Sequence, residues 1–160
     1  MPIIPAAALI AIDGALSLLP RAMDSLEARV MLFAIGLQES QFQFRRQLGD
    51  GPARGFWQFE LGGVNGVFKH PASRYWLAAL CKARGVDFAV PAIHGSLEHD
   101  DVLAAGVARL LLFTDARHLP ALDDERGACA YYIRCWKPGK KRPKDWPANH
   151  DAALNEAVPA

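Results

Sequence analysis

The chain has 160 residues, of which 51% are hydrophobic and 22% charged, and its formal net charge is +1. That length fits one domain able to bury a core without disulfide or metal staples, and the composition excludes a disordered chain. With near-neutral charge the chain as a whole is not built to seek a polyanion, so nucleic acid is not expected as the main ligand, although basic residues cluster locally.

The first twenty residues, MPIIPAAALIAIDGALSLLP, are apolar but lack a basic leading segment and are interrupted by Asp13. They read as a buried helix from near Pro5 to before Pro20, not as a cleaved signal peptide or a bilayer span. On that reading the protein is made in the cytoplasm without a cleaved leader. Asp24 and Glu27 form a capping-box pattern, in which Asp24 would accept from the N3 amide and Glu27 would reach back. Behind them Leu26, Val30, Phe33 and Leu37 recur at helical spacing, which predicts a helix to about Phe42.

The glycine- and proline-bearing stretch from Arg45 to Gly66 is expected to be a loop or small hairpin. Pro71 and Gly85 bracket a helix over residues 72–84, the proline at its first position and the glycine just past its end. A connection follows, then a helix capped by Asp100 or Asp101 that runs to about Thr114. Asp123 or Asp124 opens the next, which carries AYYIRCW. Residues 137–147 contain too much proline for a helix and read as a basic strap, and a short helix over 149–157 closes the chain. The fold class is therefore mainly α, a single compact helical domain. Cys81, Cys129 and Cys135 are odd in number and contain no CxxC pair, so they read as small buried thiols in a reducing compartment.

One residue sits awkwardly in this pattern. Met31, Ile35, Glu39 and Phe42 form a second apolar stripe beside the first. A helix apolar on two adjacent stripes is buried over most of its circumference, which would place the Glu39 carboxyl among apolar neighbours. Burial disfavours the charged form, and the negative end of the helix dipole pushes the same way. A glutamic acid kept protonated near neutral pH is what donating a proton to a glycosidic oxygen requires. The competing reading is an ordinary helical glutamate that points to water.

The run LQESQF, followed by GPARGFWQFE, resembles the lytic transglycosylase and goose-type lysozyme superfamily. That family pairs Glu-Ser at the end of a buried helix with a glycine turn, two apolar residues and Gln. Glu39-Ser40, Gly51 to Gly55, and Phe56-Trp57-Gln58 stand in those places. DVLAAGVARLLL resembles a later family helix through Gly106, and ACAYYIRCW resembles the family's Ala-Ala-Tyr-Asn segment through Tyr131, with Tyr132 in place of the Asn. The resemblance spans residues 26–136, and the FWQFE and RCWKPGK segments resemble phage-encoded members.

The resemblance implies a lysozyme-like fold and an enzyme that cuts the glycan strand of peptidoglycan during phage infection or host lysis. Glu39 would be its catalytic acid/base, with Ser40, Phe56, Gln58, Glu60, Tyr131 and Tyr132 binding the sugars. Ser40 and Tyr131 would orient the acetamido group or Glu39 itself. It implies no cofactor and a monomer, acting on the cell wall and in contact with phage virion proteins where it is virion-borne. A hydrolytic lysozyme would need a second carboxylate, for which Asp50 and Glu60 are the nearby candidates. A third reading is a phage structural or adaptor protein whose basic strap between Trp136 and Trp146 grips anionic wall polymer or nucleic acid or docks a partner, against the plainer reading of a solvated strap packed through its tryptophans. His94, His99, Asp100 and Asp101 match no metal-ligand spacing, and no metal is expected.

Overall fold

The computed structural model describes residues 1–160 and contains eight α-helices and no strand. The helices are α1 (Ala6–Leu18), α2 (Leu26–Ser40), α3 (Leu61–Lys69), α4 (Arg74–Arg84), α5 (Val90–Ser96), α6 (Asp101–Thr114), α7 (Glu125–Trp136) and α8 (Trp146–Ala157). A single 3₁₀ turn, Arg21–Met23, joins α1 to α2.

Helix α2 is the axis of the molecule. Eleven of its fifteen residues are buried, including Met31, Leu32, Ile35 and Leu37. Helix α8 packs along one side of it, while α1 packs against α6 and α6 also meets α2, α3 and α4. One continuous core of 38 residues results, which removes apolar area from water on every helix. No helix is long and apolar enough to cross a membrane. All three cysteines are free thiols, Cys81 buried and the other two half-buried.

Most predicted helix ends are observed. Asp100 accepts from the Leu103 amide at 3.0 Å and Asp124 from the Gly127 amide at 2.9 Å, each capping its helix. Gly85 closes α4 in the left-handed conformation, φ 68°, which costs glycine nothing. Five expectations are corrected. Helix α4 begins at Arg74 behind Ser73, so Pro71 stands in the turn before the helix and not at its first position. The cap of α2 is Ser25, whose Oγ accepts from the Ala28 amide at 3.1 Å; Asp24 is held instead by Arg29, so α2 begins one residue later than the capping box implied. Leu26 accordingly lies outside the core, 44% exposed. The loop read over 45–66 gives way to helix α3 from Leu61, whose Val64 and Val67 are buried against α5 and α6 despite three glycines in the helix. The connection before Asp100 contains α5, opened by Pro91, and the last helix starts at Trp146, so the strap is shortened to 137–145.

Between α2 and α3, residues 41–60 form an irregular, strandless segment with isolated antiparallel bridges between Arg46 and Arg54 and between Arg54 and Phe59. The chain turns out of α2 through two consecutive left-handed residues, Gln41 (φ 54°) and Phe42 (φ 53°), a costly conformation for side-chain-bearing residues. The turn returns the Phe42 ring onto the backbone of Gly36, where any Cβ would collide with the ring. Arg45 then clamps the segment to α6 through a bidentate pair with Asp101 at 2.7 and 2.8 Å.

Candidate active site

Four pieces of chain meet at the C-terminal end of α2. The 41–60 segment lies against it, α7 brings Tyr132 and Trp136, the basic strap brings Arg142, and α8 brings Trp146 and Asn149. Glu39 stands half-buried at their junction. Tyr132 is buried, and its hydroxyl donates to Glu39 Oε1 at 3.2 Å. Its ring stacks on Trp146, centroids 5.2 Å apart and planes within 10°, and tilts against Trp136 at 6.1 Å. Trp136 is pinned by its indole N–H, which donates to the Trp57 carbonyl at 3.0 Å, and the Trp57 indole donates to the Leu32 carbonyl at 2.9 Å. The wall beside the carboxyl is therefore a rigid aromatic one.

Burial pushes the Glu39 carboxyl up to about 7. The Tyr132 hydrogen bond and the positive charge of Arg142 pull it back down, and the negative charge of Glu60 adds to the rise. Desolvation outweighs the two opposing effects, so a substantial share of Glu39 stays protonated near neutral pH. Tyr132 is driven upward by burial and by the neighbouring carboxylate, so it remains a neutral donor.

The polar neighbours of Glu39 are held firmly. Gln38, buried, donates from Nε2 to the Arg142 carbonyl at 3.0 Å, and the Arg142 guanidinium donates to the Gln38 carbonyl. Asn149 donates to Gln38 Oε1 at 2.8 Å and accepts from Gln41 at 3.3 Å. This net ties the strap and α8 to the last turn of α2 and places the Arg142 charge near the carboxyl.

The residues singled out from sequence fare differently. Ser40 Oγ donates to the Phe56 carbonyl at 2.7 Å and to the Gly36 carbonyl at 3.3 Å, and accepts from the Phe42 amide at 3.1 Å. It is buried, and its one proton and an acceptor lone pair are engaged in sealing the helix end. Phe56 is also buried, edge-on to Phe42 and beneath the Arg45 guanidinium, so it supports the segment and presents no face to a ligand. Tyr131 faces away: its hydroxyl donates to the carbonyls of Leu112 (2.9 Å) and Arg117 (3.2 Å), and it does not orient Glu39. Successive helical residues point about 100° apart, so its neighbour Tyr132 takes the place beside the acid. Gln58, half-buried in a left-handed conformation (φ 51°), donates Nε2 to the Gly55 carbonyl at 2.9 Å. Glu60 is exposed at the start of α3 and near enough to act on Glu39 through its charge, whereas Asp50 acts on Arg46 instead. No group of three or more His, Cys, Asp or Glu side chains forms a metal cage.

Gln38, Arg142, Trp146 and Asn149 are site residues that periodicity did not pick out. Only the polar Gln38 within an apolar run and the tryptophans bracketing the strap hinted at them. No family model, curated protein or solved structure matches the chain.

Proposed function

We propose that the chain is a peptidoglycan-degrading enzyme that cleaves the bond between N-acetylmuramic acid and N-acetylglucosamine as a lytic transglycosylase, with Glu39 as the single acid/base. The carrying observation is a glutamic acid at the end of a buried helix whose pKa burial raises to about 7 and whose carboxyl is held by the Tyr132 hydroxyl against an aromatic wall. Raised carboxyl pKa values beside fixed donors mark general acids, and the resemblance of LQESQF and GFWQ supplies the substrate class.

In the proposed step Glu39 gives its proton to the bridging oxygen as the C1–O bond breaks, and the bond's electron pair goes to that oxygen. The substrate's acetamido oxygen supports the electron-poor C1. The Glu39 carboxylate then takes the proton from the C6 hydroxyl, whose oxygen closes onto C1 to give a 1,6-anhydro ring. Atoms balance without water, and Glu39 ends protonated as it began. Tyr132 would hold the carboxyl through both transfers by donating to it when it is ionised. Phage infection or host lysis is the setting this reading assigns, on the resemblance of the FWQFE and RCWKPGK segments.

Glu60 favours one alternative. Its charge reaches Glu39 from the rim of the same site, so a hydrolase that uses Glu60 as a base for water is the second reading. Mass spectrometry of muropeptides released from purified sacculi separates them: anhydro ends support the transglycosylase and reducing ends the hydrolase. Full lysis by Glu39→Gln would remove Glu39 from the chemistry. Absence of lysis by the wild type, together with binding to virion proteins, would replace both readings with a docking role.

A further inference from the structure

A cavity of about 690 Å³ opens at the opposite end of α2 from the candidate acid, between the 3₁₀ turn, the end of α6 and the 115–121 connection. From Glu27, on its rim, to Glu39 is twelve residues of helix, roughly 18 Å at 1.5 Å per residue, so the two sites are separate. The cavity is lined on its apolar side by Leu112, Phe113 and Leu119. Arg109, a cation on the buried face of α6 and only 5% exposed, also lines it.

Arg109 is poorly served by its own chain. Its single hydrogen bond runs from Nε to the Met23 carbonyl at 2.8 Å, and both terminal nitrogens lack a partner. No fully enclosed side-chain nitrogen of the protein is left without a partner, so this free edge opens into the cavity. A guanidinium cannot shed its charge to relieve burial, and a charge held this far from water calls for a counter-charge. No acid of the chain meets it directly: Asp24 acts on it only through its charge, being held by the Arg29 guanidinium. Asp115 is taken by Arg134 at 2.7 Å and by the Arg117 amide at 2.9 Å, and Glu27 makes no ion pair with Arg109. Arg117 adds a further positive charge to the lining.

We propose that this cavity is a binding site for a small monocarboxylate with an apolar body, the carboxylate lying bidentate on the free edge of Arg109 and the body against Leu112, Phe113 and Leu119. A fork of parallel N–H donors matches the planar carboxylate. Glu27 and Asp115 on the walls oppose a dianion, which selects against inorganic phosphate. The site does not depend on the cleavage chemistry assigned to Glu39.

The test is an amide and arginine-side-chain NMR titration of the full-length protein with sodium hexanoate, with hexanamide and inorganic phosphate alongside. Hexanoate is expected to bind with a Kd of roughly 1 mM, the range available to a ligand of eight heavy atoms. It should move the Arg109 Nε–H and the amides of Ser25 and of residues 116–119, while hexanamide and phosphate leave them in place. Arg109→Met should weaken binding at least about tenfold, the worth of a charged hydrogen bond. Arg109→Lys, which keeps the charge but loses the fork, should weaken it several-fold in protein whose amide spectrum shows the native fold. Absence of saturable shifts in the wild type, unchanged affinity in Arg109→Lys, or phosphate binding as tightly as hexanoate would each overturn the proposal. None of these readouts involves peptidoglycan, so failure here is distinct from failure of the lytic reading.

Discussion

Replacing Glu39 by Gln should stabilise the protein, and should do so only above the acid range. The folded carboxyl titrates near 7 against an ordinary value of 4.5. Folding therefore favours its protonated form, and the folded state binds more protons than the unfolded one between those two values. Stability falls as pH rises through that window and the penalty is complete above it. At 1.36 kcal/mol per unit the full shift corresponds to about 3 kcal/mol, and partial solvent contact at a half-buried residue reduces this to about 2–3 kcal/mol. The Gln amide fits the same space, keeps an oxygen for the Tyr132 hydroxyl to donate to, and carries no charge to desolvate. Urea denaturation of both proteins at about pH 4 and about pH 8 isolates the effect, because titrating groups not coupled to Glu39 cancel in the difference. The variant should match the wild type at the lower pH and exceed it by about 2–3 kcal/mol at the higher, with Tm raised by about 4–12 °C for a domain of this size. An equal gain at both pH values, or a loss at the higher, would refute a carboxyl raised by burial.

Three further outcomes follow from the same geometry. Lysis of purified sacculi should fall as pH climbs past about 7, because the acid form of Glu39 is consumed; a rate that holds level well above that value counts against Glu39 as the donor. Tyr132→Phe and Arg142→Gln each remove an influence that lowers the Glu39 pKa, so both should move the alkaline limb of the pH–rate profile upward, and carbon NMR of the Glu39 carboxyl should show the same displacement. Trp57→Phe removes the buried indole bond to the Leu32 carbonyl and leaves space behind it, costing about 1–3 kcal/mol in chemical denaturation, with the limb of the profile unmoved.

Local chemistry was readable from the chain, and long-range packing was not. Asp100, Asp124 and Gly85 act on backbone within four residues, so their types and positions specify the helix ends they cap. Helices α3 and α5 carry glycine or proline and have weak propensity; they form because α3 buries Val64 and Val67 against α5 and α6, a tertiary gain invisible in a window of sequence. Asp24 looked like a cap and is instead consumed by Arg29, which also reaches Asp13 on α1. At the site, two apolar stripes foretold the burial of Glu39. The choice of Tyr132 over Tyr131 turned on which face of α7 meets α2, and the partners of Gln38 lie more than one hundred residues along the chain.

Glu39 presents a physical problem that the surrounding residues resolve. A carboxyl whose pKa is raised by burial destabilises the fold at neutral pH, and the strap adds an opposite charge nearby that would return it to an ordinary acid if the two met in an ion pair. They do not meet, because the Arg142 guanidinium is occupied by the Gln38 carbonyl and lies within 4 Å of no acid other than Asp145. Gln38, locked in turn by Asn149, thus sets how far Arg142 moderates Glu39. The aromatic wall of Tyr132, Trp136 and Trp146 excludes water from one side of the carboxyl and supplies a single neutral donor in its place. One fixed hydrogen bond, a restrained cation and an aromatic flank are thus the features on which the proposed proton transfer by Glu39 rests.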